Sequence, residues 1–355
     1  MFVAWRDLRF AKGRFALMGT VIVLITLLVG LLSGLTAGLA RENVSAITGL
    51  PADRLAFAAP PPGRPVSFTD SAVPDGAWRA WQRQPGVTAA EPVGITTLDA
   101  AAGDRTAAVS AFGTRPGAGI APDSARLGPG RVVLSAPAAE ELGARAGDGL
   151  RIGPLAATVA AVAGDASYSH TPVVWTSLED WRRLGGRGGA TVVALRGAGA
   201  GLAAGDAAAG TRSTTVEEAL DAIGSHRAES GSLGLMRGFL FVISALVVGA
   251  FFTVWTIQRS GDVAVLKALG ASTPYLLKDA LGQAVVVLGA GTLLGTGLAA
   301  GAGALVGRAD VPFVLEPSTL LGPAAVMTVL GLLGAALSLR RITAADPLTA
   351  LGSAR

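Results

Sequence analysis

The sequence predicts a membrane protein with four transmembrane α-helices plus an extracellular α+β domain inserted between helices 1 and 2. Three observations carry that expectation. Four apolar intervals hold no charged residue, and each is long enough for a bilayer crossing, which takes about 20 residues. A long polar stretch separates the first interval from the second. Lysine and arginine mark alternate ends of the intervals, as topology requires. Composition agrees. Of the 355 residues, 51% are hydrophobic and 15% charged, against roughly 25% charged in a soluble domain.

The elements follow in order. Residues 1–14 carry Arg6, Arg9, Lys12 and Arg14 and read as a cytoplasmic amphipathic segment. The first span is 15–40; it exceeds the roughly 7–15 residues of a signal-peptide core and has no clean Ala-x-Ala site, so it is read as retained. Residues 41–237 form the extracellular domain, and the second span is 238–258. A cytoplasmic loop, 259–279, carries Arg259, Lys267 and Lys278. The third span is 280–307, followed by an outer loop, 308–316, with Arg308 balanced by Asp310 and Glu316. The fourth span is 317–339, and the cytoplasmic tail 340–355 has Arg340, Arg341 and Arg355. The bias of basic residues puts both termini in the cytoplasm. Three lysines against 26 arginines, with heavy Ala and Gly use, fit GC-rich coding and hence a bacterial plasma membrane.

Glycine spacing adds a packing expectation. Gly30, Gly34 and Gly38 in span 1, and the pairs Gly291/Gly295 and Gly297/Gly301 in span 3, offer small faces for close helix approach. In the outer domain, Arg131–Ser135 reads as a strand and Ala136–Leu142 as a helix stopped at Gly143. Leu150–Ile152 and Thr158–Val162 read as a hairpin, Val173–Thr176 as a strand and Ser177–Leu184 as a short helix. Residues 185–210 read as Gly/Ala-rich loop around one strand, Thr191–Leu195.

The chemistry is negative. The chain has no cysteine, so thiol catalysis and disulfides are excluded. No GxxxxGK[ST], HExxH or GxSxG pattern occurs, and His170 and His226 are the two histidines. The chain is therefore read as no enzyme, with no metal site and no cofactor of its own. The basic residues sit at span ends, which argues against nucleic acid as a partner.

Two segments carry a family signature: Thr256–Ser272, TIQRSGDVAVLKALGAS, and Arg341–Leu351, RITAADPLTAL. Both resemble the FtsX/MacB-type permeases of ABC transporters, whose loop reads R-x-x-E-I-x-x-L-x-A-L-G-A and whose tail reads D-P-x-x-A-L. Asp262 stands where that family has Glu, which keeps the charge. The outer stretch Leu134–Leu184 is also similar to the family's outer domain. The resemblance implies a separate ABC ATPase subunit that binds ATP-Mg, a homodimer of permeases in membrane lipid, and a loop helix that docks on the ATPase. The coupling positions are then Arg259, Asp262, Val263, Leu266, Lys267, Leu269 and Gly270. Val263, Leu266 and Gly270 also share one helical face by spacing alone.

Four shorter stretches, Ser33–Ser45, Tyr168–Val174, Ala250–Gln258 and Val311–Phe313, resemble the heme-regulated efflux branch of that family. This implies heme as the exported substrate, entering from the outer leaflet and driven by motion transmitted from the ATPase. Side chains able to meet heme iron near the outer membrane surface are Glu42, Met236, Tyr168 and His170. Their plain alternatives are an Arg41–Glu42 interface pair, packing for Met236, and a turn for Tyr168 and His170. Two other functions share this architecture: a permease for a peptide, antibiotic or lipid, and an FtsX-like regulator of cell-wall hydrolases.

Overall fold

A computed structural model describes residues 12–197, 201–258, 260–307 and 311–343. The chain divides into a membrane unit, Met1–Gly38 with Ser232–Arg355, and an outer unit, Leu39–Gly231. Its first element is the helix α1, Lys12–Thr48. The outer unit continues with β1 (Arg54–Ala58), α2 (Ala77–Gln82), β2 (Ala89–Ala102), β3 (Arg105–Thr114), β4 (Arg131–Leu134) and α3 (Ala136–Leu142). Then come β5 (Gly149–Ile152), β6 (Leu155–Val162), β7 (Ser167–Tyr168), β8 (Thr171–Ser177) and α4 (Leu178–Arg183). It ends with β9 (Val192–Arg196), α5 (Leu202–Ala209), β10 (Thr211–Thr215) and α6 (Val216–Ala219). Four helices follow: α7 (Gly224–Gln258), α8 (Ser260–Ala268), α9 (Thr273–Val306) and α10 (Pro317–Thr343).

Among the described residues, four helices are long and apolar enough to cross a membrane: α1, α7, α9 and α10. A helix bonds its own backbone polar groups, which hydrocarbon demands. The helices outrun the apolar intervals. Helix α1 continues past Ala40 to Thr48, and α7 begins at Gly224 rather than Gly238. Charge limits where a helix can sit in lipid but not where it can continue in water, so apolar limits understate helix length.

In the membrane unit, Met18 and Ile22 of α1, Val248 and Phe252 of α7, Val287 and Leu288 of α9 and Ala335 of α10 form one core. The glycines bring the backbones together. A Cβ on Gly291 would lie 2.7 Å from Ile22 Cγ2, and one on Gly295 2.6 Å from Thr26 Cβ. The partner of that face of α9 is therefore α1. Added carbons at Gly34 and Gly38 would overlap the Phe313 ring and the Pro312 carbonyl. The Val314 N–H donates to the Gly34 carbonyl at 3.1 Å. The segment 311–316 is thus seated on the glycine face of α1. The second α9 pair differs from expectation: Gly297 and Gly301 meet nothing within 4 Å among the described residues.

The outer unit is built on one ten-stranded sheet in the order β10-β1-β9-β2-β3-β8-β4-β6-β5, with β7 paired to β8. The β3–β8 and β4–β6 pairs are parallel. The predicted helix Ala136–Leu142 is present, with Ser135 accepting from the Ala138 N–H and Gly143 at φ 61 closing it. The strand β2 and its hairpin partner β3 had no counterpart in the sequence reading, because an Ala-rich run carries little strand signal. Helix α5 lies inside the stretch read as loop. Trp181 of α4 is held between backbones, since side chains at Gly94 or Gly113 would overlap its ring and one at Gly186 would come within 2.6 Å. Its Nε1 donates to Thr96 Oγ1 at 2.9 Å.

Gly34→Ala sets a methyl into the Phe313 ring and should lower stability by about 1–3 kcal/mol, the usual range for overpacking. Gly297→Ala should leave it unchanged. Chemical denaturation of the purified chain in detergent checks this, with Phe313→Ala in the Gly34→Ala background expected to recover part of the loss.

Candidate functional site

The outer unit gathers a polar cluster from three places in the chain. Strands β7 and β8 pair Ser167 with Pro172 and Tyr168 with Thr171, leaving Ser169 and His170 as a two-residue turn. Both have left-handed backbones, φ 50 and φ 61, as a type I′ hairpin requires. That turn presents the imidazole. His170 Nε2 lies 2.8 and 3.0 Å from the two Glu229 carboxylate oxygens and 3.1 Å from Asn43 Nδ2. Nδ1 faces Glu42 Oε2 at 3.8 Å. The Glu42 side chain is 46% exposed.

Asn43 holds the cluster together and is fully buried. Its Nδ2 donates to Glu229 Oε2 at 3.1 Å, and its Oδ1 accepts from Ser225 Oγ at 2.8 Å. Its carbonyl accepts from the Ser169 N–H at 2.9 Å. Two residues along, Ser45 Oγ accepts from the Ser167 N–H at 2.8 Å. The last turns of α1 are in this way joined to the β7–β8 hairpin and to the first turns of α7.

The sequence candidates separate. Glu42 and His170 come together. Arg41 pairs with Asp165 at 2.7 Å and not with Glu42. Tyr168, expected beside them as a substrate contact, is only 7% exposed. Its ring packs edge-on against Phe68 and Phe112 at 5.8 and 5.6 Å. Alternation along a strand sends it to the core face, and this placement removes it from the surface that carries His170. Met236 belongs to the membrane unit and is about half exposed. Beside it, Arg237 donates from Nη2 to Thr36 Oγ1 at 3.2 Å, a link between α7 and α1.

The loop helix α8 ends in a Schellman stop. The Ala271 N–H donates to the Leu266 carbonyl at 2.9 Å and the Gly270 N–H to that of Lys267 at 3.0 Å. Gly270 has φ 95, which explains the glycine in this motif. Val263, Leu266 and Lys267 are half-buried, whereas Leu269 is 80% exposed. Arg259 lies outside the described residues, as do the Asp262 side chain and the tail from residue 344.

Residues 15–223 match the MacB-like periplasmic core domain, and residues 234–347 match the FtsX-like permease C-terminal domain. The chain belongs to the FtsX/MacB family of ABC transporter permeases. A relative named as the hemin transport system permease protein HrtB, from Staphylococcus haemolyticus, is 38% identical over 38% of this permease and 39% of its own length. The permease thus spans about two fifths of that relative. An uncharacterized ABC transporter permease of Mycobacterium tuberculosis is 27% identical over 99% of both chains. The extracellular domain of the ABC-type transporter YknZ aligns with 46% of this permease and 98% of that chain, at 13% identity and a TM-score of 0.35.

Sequence reasoning missed Asn43 and Glu229 in this permease. A signal for Asn43 existed, since it is polar and adjoins Val44 on a helix otherwise rich in apolar residues. Glu229 offered none, because its partner is 59 residues away. Asn43→Ala strips partners from Glu229 and Ser225 and should cost about 1–3 kcal/mol. Denaturant unfolding of the full chain measures it, and Arg41→Ala, losing an exposed pair, should cost under about 1 kcal/mol.

Proposed function

We propose that this permease is the membrane-spanning subunit of an ABC efflux transporter that exports heme. The similarity to relatives named as hemin permeases carries that substrate, and the Glu42–His170 pair supports it chemically. A carboxylate and an imidazole are both ligands that ferric heme takes. In the membrane unit, Met236 offers a thioether and Arg237 a cation suited to a propionate. Both termini face the cytoplasm, and a flat amphiphile enters sideways from the outer leaflet.

ATP-Mg is bound by a separate ATPase chain, and two permeases pair around a two-fold axis. The loop helix α8 docks on the ATPase. Leu269 supports that role, as an apolar side chain left almost fully exposed beside a fixed helix stop. Closure of the ATPases then shifts the long helices between two packings, since interlocked side chains switch rather than flex.

A second reading has one observation in its favour. An apolar groove of about 930 Å³ runs between α7 and α10, lined by Val242, Leu246, Leu333 and Leu337. It would suit the acyl chain of a lipid substrate.

Cells carrying the permease with its ATPase should tolerate hemin, and tolerance should fall to that of an ATPase-dead control in a Glu42→Ala, Met236→Ala variant. Tolerance unaffected by the variant keeps heme and discards these ligands. No tolerance from an assembled, hydrolysing complex discards heme and leaves the lipid reading. Gly270→Val forces a β-branched residue into the left-handed region. It should lower tolerance and substrate-stimulated ATP hydrolysis while leaving hemin binding to the purified permease unchanged, read from its absorption spectrum.

A further inference from the structure

A second site lies in the outer unit. A cavity of about 380 Å³ opens there, toward the small end of the roughly 300–1,000 Å³ usual for ligand pockets. Phe68, Tyr168 and Trp181 wall it, and Thr96 and Thr97 of β2 add hydroxyls. Its one charged lining residue is Arg187.

Three properties define what would fit. First, the charge is unbalanced. Arg187 Nη2 donates to the Thr69 carbonyl at 3.1 Å, which leaves most of its five donors unused. No carboxylate among the described residues pairs with it, whereas nearby Arg182 and Arg183 pair with Asp75 and Glu179 at 2.5 and 2.6 Å. Second, the Tyr168 hydroxyl makes no hydrogen bond within the described residues, although the side chain is 7% exposed. Burial pushes its pKa above the ordinary phenol value, so it stays a donor at neutral pH. Third, the Trp181 wall is set in advance. Glycines on three sides and the Thr96 hydrogen bond fix the ring, so a ligand need not order it.

We propose that this cavity binds a small organic anion with a flat apolar body, its carboxylate on Arg187 and its body against the aromatic walls. A cation would meet the guanidinium with no compensating negative group. A purely apolar ligand would leave the donor of the buried Tyr168 unmet, which is costly, and would make no use of the Arg187 charge at the rim. The inference is independent of the heme reading, since it uses neither Glu42 nor Met236 and concerns a different face of the β7–β8 hairpin.

The full chain in lipid nanodiscs is titrated with indole-3-acetate and with the neutral indole-3-acetamide, followed by saturation-transfer NMR. Saturable binding of the acid is expected, with the amide about tenfold weaker or more, because a charge-assisted hydrogen bond is lost. Arg187→Gln should weaken the acid by a similar factor and bring it level with the amide. Thr97→Trp, which fills the mouth from an exposed position, should abolish saturable binding of both. Equal binding of the acid to the wild type and Arg187→Gln overturns the proposal. So does the absence of saturable binding at millimolar acid, including non-saturable uptake of both compounds alike, which is partition into lipid.

Discussion

A backbone inside hydrocarbon has no water to bond with, and the membrane unit depends on that constraint. It makes every crossing an uninterrupted helix, and it also removes the hydrophobic force that would join helices in water. Association must then come from close packing. Gly291 and Gly295 let α9 approach Ile22 and Thr26 of α1, and Gly34 and Gly38 seat the segment 311–316. One side of the unit is interlocked in this manner. On the α7–α10 side Gly249 and Gly334 approach each other, and an apolar groove runs between the helices.

The outer unit obeys the opposite constraint. Water is available to its polar groups, so burying one is expensive unless it is bonded. Asn43 is buried without loss because its amide and carbonyl groups are matched by Glu229, Ser225 and Ser169. Those partners come from the β7–β8 turn and from the far end of the unit's sequence. A single satisfied side chain therefore fixes the β7–β8 turn against two helix ends, and it holds the His170 ring in one orientation. Most of the worth of such a node lies in what its removal would strand, not in the bonds themselves.

What was legible in the sequence tracks the range of the interactions. The four spans and the helix Ala136–Leu142 with its Gly143 stop are set by neighbours a few residues apart and could be read directly. The loop helix was expected to carry Gly270 on its face, but α8 ends at Ala268 and Gly270 closes it with φ 95. The β2–β3 hairpin was not, because Ala89–Ala102 becomes a strand through pairing with β3 and β9 rather than through its own preference. The candidate site was half legible. Glu42 and His170 could be named from a resemblance, but Asn43 and Glu229, which hold His170, are joined to it over 127 and 59 residues. Tyr168 was misplaced for a local reason: in a short hairpin, one residue's shift exchanges the core face for the turn.

The electrostatics of the cluster follow from that geometry. Glu229 and Asn43 both reach Nε2, which leaves Nδ1 as the ring nitrogen turned toward Glu42. At 3.8 Å the two are not hydrogen-bonded, and the Glu42 carboxylate keeps its lone pairs available on a half-exposed side chain. The buried Asn43 bonds Glu229 and the backbone of the β7–β8 turn, so the imidazole is anchored along its Nε2 edge while Glu42 stays on the exposed side of the ring.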